Sequence, residues 1–254
     1  MISIKTESEL SIMREAGRIL ALTFVAVGPQ VREGISAKTL DDLVKNTIQN
    51  LGAEPGFLGY QGYKYSACIS RNEEIVHGIP YADKIVLPGD IWSIDIGVRF
   101  NGYYADAART YCVGPVSDQA RKLVEVTKAS FFEGIRRAVP GNRLGDVSNA
   151  IQTYVESHGF AVVKDLYSHG IGKSLHEDPL IPNYGKKGKG PVLKRGMTFA
   201  LEPMVNIGTD RIFTLADKWT IVTADRKWSA HYENTILVTD ENGPEILTLD
   251  TSER

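Results

Sequence analysis

The feature that most constrains this chain is a pair of amphipathic helices that occurs twice. In the first pair, the capping-box signature Thr6-x-x-Glu9 precedes an apolar stripe at helical spacing, which stops at Gly28-Pro29. A second helix follows the N-cap candidate Ser36 and ends at Gly52. Each of these helices is therefore predicted to bury one face against another layer of structure.

A similar pair returns in the second half of the chain. One helix is predicted from about Ser117 to Pro140-Gly141, and another from about Leu144 to Gly159. The terminal glycines of the two pairs, Gly52 and Gly159, lie 107 residues apart. Segments rich in β-branched and aromatic residues follow each pair. This layout predicts a degenerate duplication of helix-helix-sheet units, although two unrelated helix pairs would produce the same pattern.

Composition excludes several classes of protein. The formal net charge is −2 and hydrophobic residues make up 43% of the chain, which argues against disorder and against a general polyanion binder. Two cysteines, Cys68 and Cys112, are too few for a disulfide framework. The most apolar stretch, Ile19 to Val27, has about half the length of a membrane span. We therefore expect a globular cytoplasmic protein that does not enter the membrane.

Two acidic residues lie on a predicted hairpin. Ile91 to Val98 and Tyr103 to Val113 are predicted strands, and Asn101-Gly102 is a strong two-residue turn signal. In that register Asp95 and Asp106 share one face of the sheet diagonally. A single buried acid is most simply paired with an arginine, but two converging acids in apolar strands favour a divalent metal.

The repeat places further acids at matching positions. Moving 107 residues on from Asp95 gives Glu202, in the apolar segment Thr198 to Pro203. The last predicted strand, Ser229 to Thr239, carries Glu233 and is the counterpart of the second hairpin strand. Four carboxylates from four central strands would be neutralised by two divalent ions, so the acids predict a binuclear site.

Histidines supply the remaining candidate ligands. The chain has His77, His158, His169, His176 and His231. His158 ends a helix and is expected to interact with the helix dipole. His169 and His176 lie in a glycine-rich segment that does not match the HExxH helix of zinc proteases. Alone, each histidine would be structural; beside four acids, one ligand and one or two catalytic residues are expected.

These residues resemble the type I methionine aminopeptidase family, within the duplicated pita-bread metallopeptidases. The resemblance runs from about Thr6 to Leu249 and includes CISRNEEIVHGIP at 68–80, Asp95 with Asp106, SHGIG at 168–172, HEDP at 176–179, LEPM at 201–204 and YENT at 232–235. It implies a mixed α/β (α+β) pita-bread fold in which two pseudo-two-fold halves, about 6–113 and 117–239, form one curved central sheet with helices outside. Residues 1–254 would form a single catalytic domain.

The resemblance also implies an activity and a metal centre. The family removes the initiator methionine from nascent chains whose second residue is small, by hydrolysis with a metal-activated water. The implied ligands of two divalent ions are Asp95, Asp106, His169, Glu202 and Glu233, with Asp106 and Glu233 bridging. Glu202 would also shuttle a proton, and His77 and His176 would contact the substrate amide. One imidazole and four carboxylates suit Mn, Fe or Co, and Zn remains possible.

A side-chain pocket for methionine follows from the same resemblance. It comprises Phe57, Tyr60, Tyr63, Cys68, Leu175 and Trp219, alongside His77 and His176. Any one of these aromatic residues could belong to an ordinary core, but as a set beside the His77 segment they favour a pocket. The chain departs from the commonest bacterial pattern at Phe57, Leu175 and His231, where Cys, Phe and Gln are usual, and these changes bear on pocket width and selectivity.

Five cations lie within ten residues between two site segments: Lys186, Lys187, Lys189, Lys194 and Arg195. A solvated loop is the simplest interpretation, and contact with ribosomal RNA is the sharper hypothesis that the resemblance suggests. The family also implies a monomer.

Two other functions are considered. An Xaa-Pro peptidase of the same fold would be expected to carry an additional N-terminal domain, whereas the first helix here is predicted within ten residues of Met1. A catalytically inactive pita-bread domain used as a binding module would be expected to have lost ligands, and every family ligand position is filled.

Overall fold

The computed structural model of the protein describes residues 1–240 and 243–249. The α-helices are α1 (Glu7–Val27), α2 (Ala37–Asn50), α3 (Asp118–Ile135) and α4 (Leu144–Ser157), and short 3-10 turns span Gly28–Gln30 and Tyr60–Gly62. The strands are β1 (Glu54–Pro55), β2 (Ala67–Arg71), β3 (Glu74–Val76), β4 (Ile91–Phe100), β5 (Tyr103–Cys112), β6 (Ala161–Val162), β7 (Tyr167–Gly170), β8 (Glu177–Pro182), β9 (Thr198–Leu201), β10 (Met204–Asn206), β11 (Ile212–Thr214), β12 (Ile221–Thr223), β13 (Ser229–His231), β14 (Glu233–Leu237) and β15 (Glu245–Ile246).

The predicted helix caps are present. The Thr6 hydroxyl accepts from the Glu9 backbone N–H while the Glu9 carboxylate accepts from the Thr6 N–H, which completes the capping box of α1. The Ser36 hydroxyl accepts from the N–H of Thr39 at the start of α2. Within the described part of the chain, no helix combines the length and apolar character that a membrane span requires.

One predicted helix end is wrong. Helix α3 ends at Ile135 rather than at Pro140-Gly141. Turn hydrogen bonds from Arg137 N to Gly134 O and from Ala138 N to Ile135 O replace the helical ladder there. Proline also disfavours the helical conformation of the residue before it, so the pattern could not continue to position 139.

The acid-bearing hairpin forms in the predicted register. Asn101 and Gly102 both have positive φ angles, 46° and 83°, as a two-residue type I′ turn requires. Gly97 pairs with Asp106, and Asp95 pairs with Ala108 two residues further along the ladder. Strand β4 extends two residues beyond the predicted end, to Phe100.

Strands from both halves of the chain form one sheet. Its order is β1-β4-β5-β14-β9-β7-β8, with β2 paired to β4 and β15 paired to β14. The halves meet where β5 pairs with β14, and β4 and β9 flank that seam on either side. This arrangement confirms the predicted fold class, in which two helix-helix-sheet units share a central sheet.

The two faces of this sheet differ in chemistry. Ile94 and Ile96 of β4 and Ala107 of β5 belong to the core that α1 and α2 cover. Phe199 and Ile236 occupy the equivalent core beneath α3 and α4. Because side chains alternate along a strand, the neighbouring acidic residues point to the opposite face. The sheet thus separates an apolar helix-covered side from an acid-bearing side.

Two details of the second half differ from the predicted strands. Glu202 lies immediately after β9 rather than within it. The segment from Ser229 to Thr239 is split at Tyr232, whose N–H bonds to Pro203 O, so β13 joins β10 in a separate three-stranded sheet while β14 stays in the main one. Residues before Tyr232 therefore pair with β10, and residues after it pair with β5 and β9.

Candidate metal centre and substrate cavity

Five neighbouring strands of the main sheet bring the predicted ligands together. Taken in the spatial order β4, β5, β14, β9 and β7, they supply Asp95, Asp106, Glu233, Glu202 and His169. The two seam strands, β5 and β14, each carry one acid. Of the two strands beside the seam, β4 carries Asp95, and Glu202 directly follows β9.

Two groups of potential ligand atoms can be distinguished in this cluster. Asp106, His169 and Glu233 form one group, and Asp95, His231 and Glu233 form the other. Within each group the ligand atoms all lie within 4.8 Å of one another, a spacing compatible with a shared ion. Glu233 belongs to both groups, whereas Asp106, for which a bridging position is also expected, belongs only to the first, and Glu202 belongs to neither.

The carboxylates lack the partners that buried charges require. Asp95 Oδ1, Asp106 Oδ1 and Glu233 Oε1 are buried without a hydrogen-bond partner among the described residues. Burial raises the pKa of Asp106 to about 7. Burial, followed by the charge of Asp106, raises the pKa values of Asp95, Glu202 and Glu233 above their ordinary range. These oxygens fit a divalent cation, which would satisfy all of them at once.

His169 presents one ring nitrogen to the carboxylates. Its Nδ1 donates to the Gly170 carbonyl at 2.9 Å, which leaves Nε2 as the unprotonated nitrogen of the neutral ring. Nε2 lies 3.6 Å from Glu202 Oε1. Burial, and then the adjacent His176, lowers the pKa of His169 to about 3, so its lone pair is available at neutral pH.

A cavity of about 190 Å³ opens onto the cluster. Every site residue predicted from the sequence lines it: Phe57, Tyr60, Tyr63, Cys68, His77, Asp95, Asp106, His169, Leu175, His176, Glu202, Trp219 and Glu233. The residues come from segments that are far apart in the sequence, and the fold collects them at one place.

One wall of the cavity is aromatic. The Tyr63 and Trp219 rings meet edge to face with centroids 4.9 Å apart. Phe57 lies against Gly97, where an added Cβ would stand only 2.6 Å from a ring carbon of Phe57. The absence of a side chain at Gly97 therefore allows the Phe57 ring to pack on the sheet beside the acids.

Two histidines border the cavity without joining either ligand group. Tyr60 Oη and His176 Nδ1 share a hydrogen bond of 2.7 Å, and the His169 and His176 ring centroids lie 4.2 Å apart with the ring planes tilted by 53°. His77 adopts a left-handed φ of 57°, and its ring meets Trp219 edge to face. Burial, and then His176, lowers the pKa of His77 to about 4, so it is neutral at pH 7 and can exchange hydrogen bonds with an amide.

Sequence reasoning did not assign some residues that the structure places at the site. Gln61, Val76, Leu166, Tyr167 and Met204 also line the cavity. His231 appears in the sequence only as a departure from the usual pattern, yet its side chain reaches the acid cluster. The available signal was spacing: His231 lies two residues before Glu233, and residues two apart in a strand point to the same face.

A cavity that ends on buried acids and a neutral imidazole defines a metallohydrolase-type site, and comparisons with known proteins identify its class. The model of metallopeptidase family M24 matches residues 11–240. Methionine aminopeptidase 1 of Bacillus subtilis is 53% identical over 98% of this chain and 99% of its own length. The Escherichia coli K12 methionine aminopeptidase is 43% identical over 98% of this chain and 94% of its own.

Solved structures agree with these relatives. The Thermotoga maritima methionine aminopeptidase superposes with a TM-score of 0.96 at 47% identity and covers 98% of this chain and 100% of its own. An X-Pro aminopeptidase from the same organism has a TM-score of 0.75 at 22% identity, and only 62% of it is covered, so it shares the fold alone. The chain therefore belongs to metallopeptidase family M24 and, within it, to the methionine aminopeptidases of the pita-bread fold.

Proposed function

We propose that this protein removes the N-terminal methionine from nascent proteins and peptides whose second residue is small. The observation that carries the proposal is one cavity that combines an aromatic wall with a buried cluster of acids and an imidazole. The aromatic wall suits a thioether side chain, since sulfur-aromatic contacts contribute roughly 0.3–1.5 kcal/mol each. The cluster lies at the same cavity, where the peptide bond after methionine would be presented.

Family M24 membership implies divalent metal ions, and we propose that two are held here. Their ligands would be Asp95, Asp106, His169, Glu202 and Glu233, with Asp106 and Glu233 shared. Support comes from the unpartnered carboxylate oxygens and from the two ligand groups that meet at Glu233. The ions, as Mn, Fe, Co or Zn, would polarise the scissile carbonyl and lower the pKa of a water nucleophile.

The protein's own residues would handle binding and protons. Glu202 is 13% exposed at the cavity whereas Glu233 is only 2% exposed, so we assign Glu202 to pass the proton between water and the leaving amine. His77, neutral at pH 7, would hold the substrate amide. His176, oriented by the Tyr60 hydroxyl, would assist the tetrahedral intermediate.

Two matched peptides test the proposal directly. Chelator-stripped protein, with Mn or Co added back, should release methionine from Met-Ala-Ser and leave Ala-Pro-Ser intact. Cleavage of only Ala-Pro-Ser would instead assign an Xaa-Pro peptidase, and cleavage of neither at any metal level would indicate a binding module. The comparisons favour neither alternative, because the relatives of near-equal length are methionine aminopeptidases.

We also propose that the molecule acts as a single catalytic domain over residues 1–254 and as a monomer in the cytoplasm, where nascent chains emerge. The pairing of β5 with β14 supports one cooperative unit, because it joins the two halves through backbone hydrogen bonds. We expect a single unfolding transition and the sedimentation coefficient of a monomer.

A weak ribosome contact is proposed for the lysine loop, Lys186, Lys187 and Lys189, all of which are exposed. The loop is held against the start of α4 by a hydrogen bond of 2.9 Å from Gly145 N to Lys189 O. Replacing the three lysines with alanine should weaken co-sedimentation with ribosomes and make it less dependent on salt concentration, because fewer phosphate charges would be neutralised. The same change at the exposed Lys64, Lys122 and Lys227 is the control, and equal binding by both triple variants would contradict the contact.

A further inference from the structure

His231 occupies an unusual place beside the acid cluster. It ends β13, is only 1% exposed and does not line the substrate cavity. Its N–H donates to Thr110 Oγ1 at 3.0 Å, and that hydroxyl donates to the His231 carbonyl at 2.8 Å. The backbone is thus fixed to β5, and the ring approaches the acids from the protein interior.

The ring nitrogen of His231 needs a partner. Nε2 is buried and has no hydrogen-bond partner among the described residues. It lies 3.6 Å from Glu202 Oε2 and 3.7 Å from Glu233 Oε2, which is too long for a hydrogen bond to either oxygen. A buried polar atom left in this way is rare in native proteins unless water or an ion completes it.

The geometry points to His231 as a sixth ligand of the metal centre, on the side of Asp95. This inference rests on the proposed function and adds a residue to it. The ligand atoms of Asp95, His231 and Glu233 all lie within 4.8 Å of one another, as do those of the group that contains His169. Ligand atoms that share one ion at about 2.1 Å stand roughly 3.0–3.4 Å apart. A small inward movement of these three side chains would therefore let all of them coordinate the same ion.

A second imidazole changes the character of the centre. Each ion would then have one nitrogen ligand, from His169 in one group and from His231 in the other. Zn, Fe and Ni are suited to a site with an imidazole ligand more than to one with oxygen ligands alone. We therefore expect the ion beside Asp95 to bind more tightly than it would if His231 were not a ligand.

The test uses Co(II) binding to chelator-stripped full-length protein. Calorimetric titration and visible absorption are compared for the wild type, His231→Gln and the control His77→Gln, whose side chain belongs to neither ligand group. Wild type and His77→Gln should each bind two ions with the same spectrum. His231→Gln should bind one ion at least about 10-fold more weakly and show an altered absorption band, while the other ion is unaffected.

The outcomes are distinguishable. If His231→Gln binds both ions as the wild type does, with an unchanged spectrum, His231 is not a ligand, even if its peptidase activity falls. If the wild type itself binds no Co(II), the proposed metal centre is wrong, whatever the variant does. Should His231→Gln fail to fold, pulsed EPR of wild-type protein loaded with Mn(II) decides: nitrogen coupling from two imidazoles supports the inference, and coupling from one overturns it.

Discussion

At the scale of single residues, the carboxylate shared by both ligand groups should be the most sensitive position. Glu233→Gln keeps the size of the side chain but removes its charge, so we expect kcat/KM for Met-Ala-Ser to fall by more than about 100-fold. The metal-free variant should be at least as stable as the wild type, because the mutation removes one of several uncompensated buried charges.

Peptide kinetics and urea unfolding after chelation measure these two effects. Glu15→Gln, which alters a surface acid paired with Arg18, is the control and should change neither kcat/KM nor the stability to urea by much. A Glu233→Gln variant that loses activity and also unfolds far more easily without metal would contradict this explanation, since it would show a structural role instead.

The pocket wall gives a second prediction at this scale. Phe57→Leu removes an aromatic face while keeping an apolar side chain of similar bulk. If sulfur-aromatic contact contributes to selectivity, the preference for methionine over norleucine at the first position of an Xaa-Ala-Ser peptide should fall by roughly 2- to 12-fold. Phe213→Leu, at an aromatic residue 40% exposed elsewhere, should leave the ratio unchanged. An unaltered ratio in Phe57→Leu would assign selectivity to shape alone.

Residue patterns predicted the acids but not every member of the site. Asp95 and Glu202 could be found because a charge among apolar strand residues is costly without a partner. The pocket residues were found only through family resemblance, since nothing in their spacing brings Phe57 near Trp219. His231 was not predicted as a ligand, although its position two residues before Glu233 in the predicted strand Ser229 to Thr239 puts both side chains on one face.

At the scale of elements, the cap of α1 connects stability to pH. Glu9 accepts from Thr6 N and from the Tyr103 hydroxyl, and these hydrogen bonds, the one from Thr6 first, lower the pKa of Glu9 to about 2. Glu9→Ala should reduce the free energy of unfolding by about 1 kcal/mol at pH 7. A lowered carboxyl pKa stabilises the fold above the unfolded-state pKa, near 4.5, and this contribution disappears as the pH falls towards 2.

Urea unfolding of wild type and Glu9→Ala between pH 7 and pH 3 measures that trend. The difference between the two proteins should narrow below pH 4.5. Glu15→Ala removes an exposed ion pair from the same helix and should cost at most about 0.5 kcal/mol. A Glu9→Ala difference that stays constant across the pH range would show that the ionised cap does not stabilise the helix.

Elements were predictable where a local signal marks their ends. The capping box, the Ser36 cap and the Asn101-Gly102 turn each use hydrogen bonds or φ angles that are set within four residues. The end of α3 was misplaced because the prediction used the strong stop signal Pro140-Gly141 and not the weaker one at Gly134, where the turn begins. Tyr232 interrupts an apolar run because of a hydrogen bond to distant Pro203, and such a long-range contact leaves no local mark.

At the scale of the whole molecule, the site is a consequence of duplication. The seam between β5 and β14 gives the sheet two similar halves, and each half contributes two of the four acids. Each half also covers its own strands with its own helix pair. Charges that neither half could neutralise alone therefore converge where the halves meet, and whatever binds them also holds the halves together.

This arrangement predicts that metal stabilises the entire fold. Without cations, the buried carboxylates at the seam repel one another. A cation that binds only the folded state adds RT ln(1 + [M]/Kd) to the free energy of unfolding, which is about 2.7 kcal/mol at a hundredfold excess over Kd. For a chain of this size, Tm should rise by roughly 5–10 °C.

Thermal unfolding of chelator-stripped protein, with and without Mn, measures the shift by circular dichroism. Because the proposed ligands come from both halves, the shifted transition should remain single. Glu233→Gln, which weakens both ligand groups, should shift much less, whereas an equal shift in that variant would place the stabilising ion elsewhere.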